Sequence, residues 1–296
     1  MAIHEADLRC STQARGLGLD PAGTAVSMPA VLLVEVPLPW PDDVGGLPAI
    51  AELAGLAAAL GARVQAVVPD PGRRARGEAR IVLHRRPDGP FRGYDRHVVT
   101  VPADALADGV RAVAASPATS PGTDVLVCSH GARDRCCGSL GTALASTMAP
   151  RPGVDVVRTS HLGGHRFAPT VLVLPSGTAW AWMDADLLAA VVDRSAAPSE
   201  LRPHYRGSTA MAHPALQVAE AEVFARVGWA WLDQARHGAV EDLGDGRWRA
   251  RIESAAGAWT ATVEEGGTSP QPPCGVPLAL ANKEDRRWHL ADLAAP

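Results

Sequence analysis

The stretch Val125-Leu-Val-Cys-Ser-His-Gly-Ala-Arg-Asp-Arg-Cys-Cys-Gly138 decides the fold. Its short apolar opening reads as a buried strand, with Cys128 at the strand's end. The polar segment that follows reads as a loop, and Cys136 and Cys137 stand at the mouth of a helix expected over 139–148. Downstream come a strand over 154–158, a hairpin of 170–174 with 179–183 across Pro175-Ser-Gly177, and a helix over 186–193. That order of strand, helix, strand, hairpin and helix is the layout of a thioredoxin-like unit. The strand ends of α/β sheets are where sites form.

Upstream, the apolar run 31–36 reads as another buried strand. Leu47, Ile50, Leu53, Ala57 and Leu60 then recur at helical spacing, with Pro48 suited to a first helical turn. Strands over 63–68, 81–84 and 96–101 follow, separated by turns rich in Pro and Gly. This first segment echoes the strand and helix order of the second, without sequence identity to support a duplication. The Ser/Pro-rich stretch 115–123 marks a boundary between them. Beyond residue 196 a long amphipathic helix is expected, with Leu216, Ala219, Val223, Phe224, Val227 and Trp231 on one face and Gln217, Glu220, Glu222 and Arg226 largely away from it. Strands over 247–253 and 258–263 complete a small α+β appendage. The expected organisation is an α/β class chain: an N-terminal α/β segment over 1–115, a thioredoxin-like domain over 116–195 and a C-terminal α+β segment over 196–296.

The 296 residues have a net charge of −4, 47% apolar and 20% charged residues and a mean hydropathy of 0.00, a globular profile that excludes disorder and fibrous architecture. Twenty-eight basic residues, all but Lys283 arginine, are outnumbered by 32 acidic ones, which gives nucleic acid no support as a partner. No run of apolar residues is long enough to cross a membrane, and Met1-Ala-Ile-His-Glu-Ala-Asp lacks the features of a signal peptide, so a cytoplasmic location is expected. In a reducing compartment the five cysteines, Cys10, Cys128, Cys136, Cys137 and Cys274, argue for metal binding or redox chemistry over a disulfide framework. Cys10 and Cys274 read as isolated, buried, inert thiols.

A thiolate at a helix N-terminus is favoured by unpaired N–H groups, and Arg133 and Arg135 add positive potential. About one βα unit further on, Thr159-Ser-His-Leu-Gly-Gly-His-Arg-Phe-Ala168 spaces His161 and His165 by four around Gly163 and Gly164. The two glycines point to a tight loop whose backbone can approach a bound group. Two thiolates and two imidazoles make a complete four-ligand set, open to structural zinc or to an iron-sulfur cluster with mixed ligands. A zinc finger usually pairs cysteines two to four residues apart, a spacing that Cys128 and Cys137 do not have; a binuclear cluster suits ligands on two long loops better.

Both segments resemble the sucrase/ferredoxin-like family, whose domain is a thioredoxin-like ferredoxin. Arg9-Cys-Ser11, Gly23-Thr-Ala25, Val34-Glu35 with Pro39-Trp40, and Tyr205-Arg-Gly207 with Gln217 and Glu220 agree, so the resemblance covers most of residues 9–220. It implies a 2Fe-2S cluster ligated by Cys128, Cys137, His161 and His165, with Cys136 as the neighbour that could replace Cys137. It further points to a soluble electron-transfer protein serving an unidentified redox partner protein, an electron carrier in preference to a stand-alone enzyme, with the enzyme question left open. Imidazole in place of thiolate makes such a cluster easier to reduce, and the outer imidazole nitrogens make proton-coupled transfer the expectation.

Other readings use the same residues. A zinc-stabilised binding module would be redox-silent. A thioredoxin-type thiol oxidoreductase would use Cys128 with Cys136 or Cys137. A glycosidase would need a carboxylate pair, for which Asp184 and Asp186 are the nearest candidates. His130 is a further ligand candidate or a hydrogen-bonding neighbour of the ligands. Arg133, Arg135 and Arg166 read as charge compensation for the site, as a dock for an acidic partner, or as solvated loop arginines. Trp180 and Trp182 are expected on one strand face in the core, and Tyr205-Arg-Gly207 reads as a turn without a catalytic part.

Overall fold

In a computed structural model of the chain, the described residues are 8–119 and 122–296. Met1 to Asp7, read above for targeting signals, and Ser120 and Pro121 within the expected boundary loop lie outside them.

Strand β1 (Ala30–Glu35) is buried on both faces, as its unbroken apolar run requires. It pairs in parallel with β2 (Ala62–Val67) and antiparallel with β3 (Glu78–Arg85), which in turn pairs antiparallel with β4 (Asp95–Pro102). The crossover from β1 to β2 carries two short helices, Pro48–Ala51 and Ala54–Ala59, where the apolar spacing suggested one. A helix Leu106–Ala115 follows β4 and packs Val110 and Val113 on the sheet.

The second half repeats this order. Strand β5 (Thr123–Cys128) pairs in parallel with β6 (Val154–Thr159) after the helix Thr142–Thr147. It pairs antiparallel with β7 (Val171–Leu174), which pairs with β8 (Thr178–Trp180), and the helix Ala185–Val192 closes the unit. The echo seen in the sequence is therefore a repeat of topology. Strand β8 ends earlier than the expected 183 because Trp182 takes a φ of +52°. Trp180 and Trp182 consequently do not share a strand, although both are buried: Trp180 against Tyr205 and Phe224, Trp182 against Phe167.

With β9 (Tyr205–Ser208) the strands join into one nine-stranded sheet, ordered β4-β3-β1-β2-β6-β5-β7-β8-β9. Within the sheet the halves meet at the tips of β2 and β6, where Val67 pairs with Thr159. Val31, Leu33 and Val82 of the first half share a core with Leu126, Leu172 and Leu174 of the second. The carboxyl ends of β1, β2, β5 and β6 are thereby brought to one seam, and loops leaving such ends build sites.

A separate antiparallel sheet, β10 (Arg236–Gly244), β11 (Arg247–Ser254), β12 (Gly257–Pro270) and β13 (Glu284–Ala294), follows a helix Pro214–Val227. The sequence suggested two strands here. The outer strands β10 and β13 are mostly exposed and lack the apolar alternation that marks a half-buried strand. The helix also differs from expectation: Gln217 and Glu220 are buried, Val227 is partly exposed, and Trp231 lies beyond the helix in a 3-10 turn. Its polar residues have buried partners. Gln217 bonds the backbone of Ala25 and Met211, while Glu220 accepts from the Tyr205 hydroxyl and the Ser208 N–H. Among the described residues no helix is long and apolar enough to cross a membrane.

Candidate metal centre

Cys128 ends β5 at the seam, fully buried. The chain turns through Gly131, and Asp134 accepts the Cys137 N–H at 3.0 Å, which caps a helix that begins at 135, four residues earlier than 139. Cys137–Gly141 is a π-helical turn continuing into Thr142–Thr147, a deviation that recurs at functional sites. Glycine is required at its end, because a Cβ on Gly141 would run into the Cys128 carbonyl oxygen. This close approach sets Cys137 beside Cys128.

The histidine loop follows β6. Gly163 and Gly164 have φ of +87° and +70°, the left-handed conformations that the paired glycines suggested. Arg63, from β2, donates to the His161 carbonyl at 2.8 Å, and Arg206, from β9, donates to the Gly163 carbonyl at 3.1 Å and to Thr24 Oγ1 at 3.0 Å. Arg206 therefore ties the loop to the N-terminal segment.

The structure brings together Cys128 Sγ, Cys137 Sγ and a ring nitrogen of His161, all within 4.8 Å of one another. His161 Nδ1 lies 3.8 Å from Cys128 Sγ. His165 stands outside this group: its ring centre is 6.2 Å from that of His161, and its Nδ1 faces Asp134 Oδ2 at 3.2 Å and Cys10 Sγ at 3.3 Å. A carboxylate on one imidazole nitrogen is the arrangement that fixes a ligating histidine, leaving Nε2 as the nitrogen available to metal. Cys136 turns away from Cys128 and Cys137.

The hydrogen bond from Cys137, against the effect of burial, and the bond to His161 hold the Cys128 thiol well below the usual thiol range; the same bond to Cys128, with burial, pushes Cys137 well above it. Burial works against ionisation of Asp134, but hydrogen bonds from His165 and the Cys137 N–H keep its carboxyl below the ordinary range. Burial, then Arg166, pushes the Arg206 guanidinium down, and the Cys128 and Cys137 sulfurs pull it back. Arg63 is likewise depressed by burial and favoured by Cys128.

Sequence reasoning missed Arg63, Arg206 and Asp134. Asp134 lies inside the quoted motif and Arg206 inside Tyr205-Arg-Gly207, so a search for charged neighbours of the motif residues was the available signal. Cys10 and Cys274 are not isolated. Cys10, Asp134, Cys136 and Cys274 form a second group with donor atoms within 4.8 Å of one another, and Cys274 is only partly buried. Arg133 pairs with Asp42 at the surface, whereas Arg166 is buried against Asp285 and stacks 4.3 Å over Phe167. His130 reaches Pro41 O at 2.7 Å through Nε2, and its buried Nδ1 has no partner among the described residues. Asp184 caps the helix at 185–192 through the Leu187 N–H.

Two cavities open at the seam. One, of about 540 Å³, is lined by His161, His130, Arg63 and Arg133. The other, of about 760 Å³, is lined by Trp40, His130, Arg9, Arg135, Arg158 and Cys274 among others.

No curated protein and no solved structure matches the chain. The model of the family described as sucrase/ferredoxin-like matches residues 21–207, which span every element from β1 to β8 and both the cysteine and histidine loops. With well over half its length matched, the chain belongs to the sucrase/ferredoxin-like family.

Proposed function

We propose that Cys128, Cys137, His161 and His165 hold a 2Fe-2S cluster and that the protein is a one-electron carrier. The observation that carries the reading is the convergence of two buried thiols and His161 at the seam, with His165 on the same loop and Asp134 on its Nδ1. The donor set fits the group: two sulfurs and two imidazoles on two loops, with the half-buried guanidinium of Arg63 and the buried one of Arg206 to balance thiolate charge. When bound, such a cluster supplies one-electron transfer, at a potential raised by imidazole ligation.

The chain's own residues do the rest. Cys128 is anchored by β5, and Cys137 by the Asp134 cap and the glycine contact behind it. His161 turns Nδ1 toward the sulfur and lines the 540 Å³ cavity, so its Nε2 is the nitrogen left to exchange a proton with solvent. His165 has its Nδ1 proton held by Asp134. Proton coupling therefore belongs to His161, and the electron reaches a separate redox protein through the same face.

The test is iron and acid-labile sulfide analysis of protein purified without oxygen, with its visible spectrum before and after dithionite. Two irons and two sulfides per chain, with charge-transfer bands that bleach on reduction, are expected. Stoichiometric zinc in a colourless protein would overturn the reading in favour of a binding module.

A further inference from the structure

Behind the proposed cluster ligands lies a second set of thiols. Cys136 Sγ and Cys274 Sγ are 2.9 Å apart, and Cys10 stands beside Cys136, with its own sulfur 3.6 Å from Asp134. Two thiolates on a single zinc, each bonded at ~2.3 Å, would stand ~3.8 Å apart in a tetrahedron. The observed contact is shorter than that, so the two sulfurs lie near enough to pair directly with each other. Asp134 is moreover committed to His165 and to the Cys137 N–H.

Cys136 is buried, while Cys274 is partly exposed and lines the 760 Å³ cavity. It sits on the segment 271–283 between β12 and β13, which is fastened to the N-terminal helix Cys10–Gly16 and to Leu8 two residues before it: Gly275 N–H donates to Leu8 O, and Gln13 Nε2 donates to Val276 O. The cavity wall carries three guanidinium groups, Arg9, Arg135 and Arg158, and no carboxylate among the described residues; Trp40 forms an apolar wall. The volume falls in the range of small-molecule sites.

We propose that Cys136 and Cys274 form a dithiol that exchanges with a small acidic disulfide bound in the arginine-lined cavity. Cys274 Sγ attacks one sulfur of the bound disulfide; as that S–S bond breaks, the proton of the Cys274 thiol passes to the other half, which leaves as a thiol. Cys136 then attacks Cys274 in the mixed disulfide, forming the Cys136–Cys274 bond and releasing the second thiol with the second proton. Two protein thiols are oxidised by two electrons and one disulfide is reduced to two thiols. The step needs no metal, so it stands or falls separately from the cluster.

The experiment treats the full chain with glutathione disulfide, which carries net negative charge, and with cationic cystamine, and follows alkylatable thiols and linked peptides by mass spectrometry. Iron content is recorded on the same samples. A Cys136–Cys274 link, formed at least tenfold faster with glutathione disulfide at low salt, is expected. That preference shrinks toward unity in Arg158→Ala, and Cys274→Ser stops at no internal link while keeping its iron. Five thiols that stay alkylatable, a link between other cysteines, equal rates with both probes, or one equivalent of zinc that blocks oxidation would each overturn the proposal.

Discussion

At Asp134 one carboxylate serves three partners: the Cys137 N–H on Oδ1, His165 Nδ1 on Oδ2, and the Cys10 thiol. Asp134→Asn keeps an acceptor for the helix start but loses the charge that orients the imidazole, and such partners commonly govern metal affinity by ~10-fold or more. Iron release to a ferrous chelator should accelerate by about that factor; unchanged release would show that Asp134 serves only the cap. Gly141 has a different task, since its lack of a side chain lets the helix approach Cys128 O. Gly141→Ala should cost at least ~2 kcal/mol by overpacking, read as a lower urea midpoint, while Gly46→Ala, with open space around it, should change little. The candidate donor residues and their loops were legible from the sequence because Cys, His and paired glycines are chemically distinctive. Asp134, Arg63 and Arg206 were not, because a buried charge looks like any surface charge until the fold supplies its partner.

At the scale of elements, the two halves are held together by more than the β2 and β6 tips. Asp124 of β5 is fully buried between His84 of β3, 2.7 Å away, and Arg96 of β4, 2.6 Å away. Burial raises the Asp124 carboxyl, but the hydrogen bonds from His84 and Arg96 outweigh it and bring it down to about 2. A carboxyl lowered on folding stabilises the protein fully above its unfolded value of 3.8, and that stability is lost as pH falls through about 2. Acid unfolding of the wild-type protein should therefore draw on this contact below about pH 4. Asp124→Asn should lose ~3 kcal/mol at neutral pH, because it leaves Arg96 beside a site without charge; urea unfolding at pH 7 measures it, and an unchanged midpoint would show that the contact contributes nothing net. Most strands were readable because they are apolar runs buried on both faces, as in β1 and β5. Strands β10 and β13 were not, since pairing with neighbours and not burial holds them, and the helix at 214–227 misled because Glu220 and Gln217 are buried with partners.

At the scale of the molecule, two units of like topology place four strand ends at one seam, and the second unit carries the proposed ligands while the first contributes Arg63 and Trp40 to the walls of the two cavities. Sequence similarity between the halves is too slight for this arrangement to be read without coordinates. It leaves His161 facing a cavity, so the reduction potential should fall with rising pH, approaching roughly 59 mV per unit once the imidazole deprotonates in the oxidised state. A potential that stays flat from neutral to alkaline pH would contradict proton coupling at His161. The most direct measurement of the central claim is pulsed EPR of the dithionite-reduced protein. The account predicts a binuclear iron signal with couplings from two imidazole nitrogens, one of which disappears in His161→Cys and the other in His165→Cys. A reduced signal without nitrogen coupling, or no paramagnetic species in protein that binds only zinc, would contradict it.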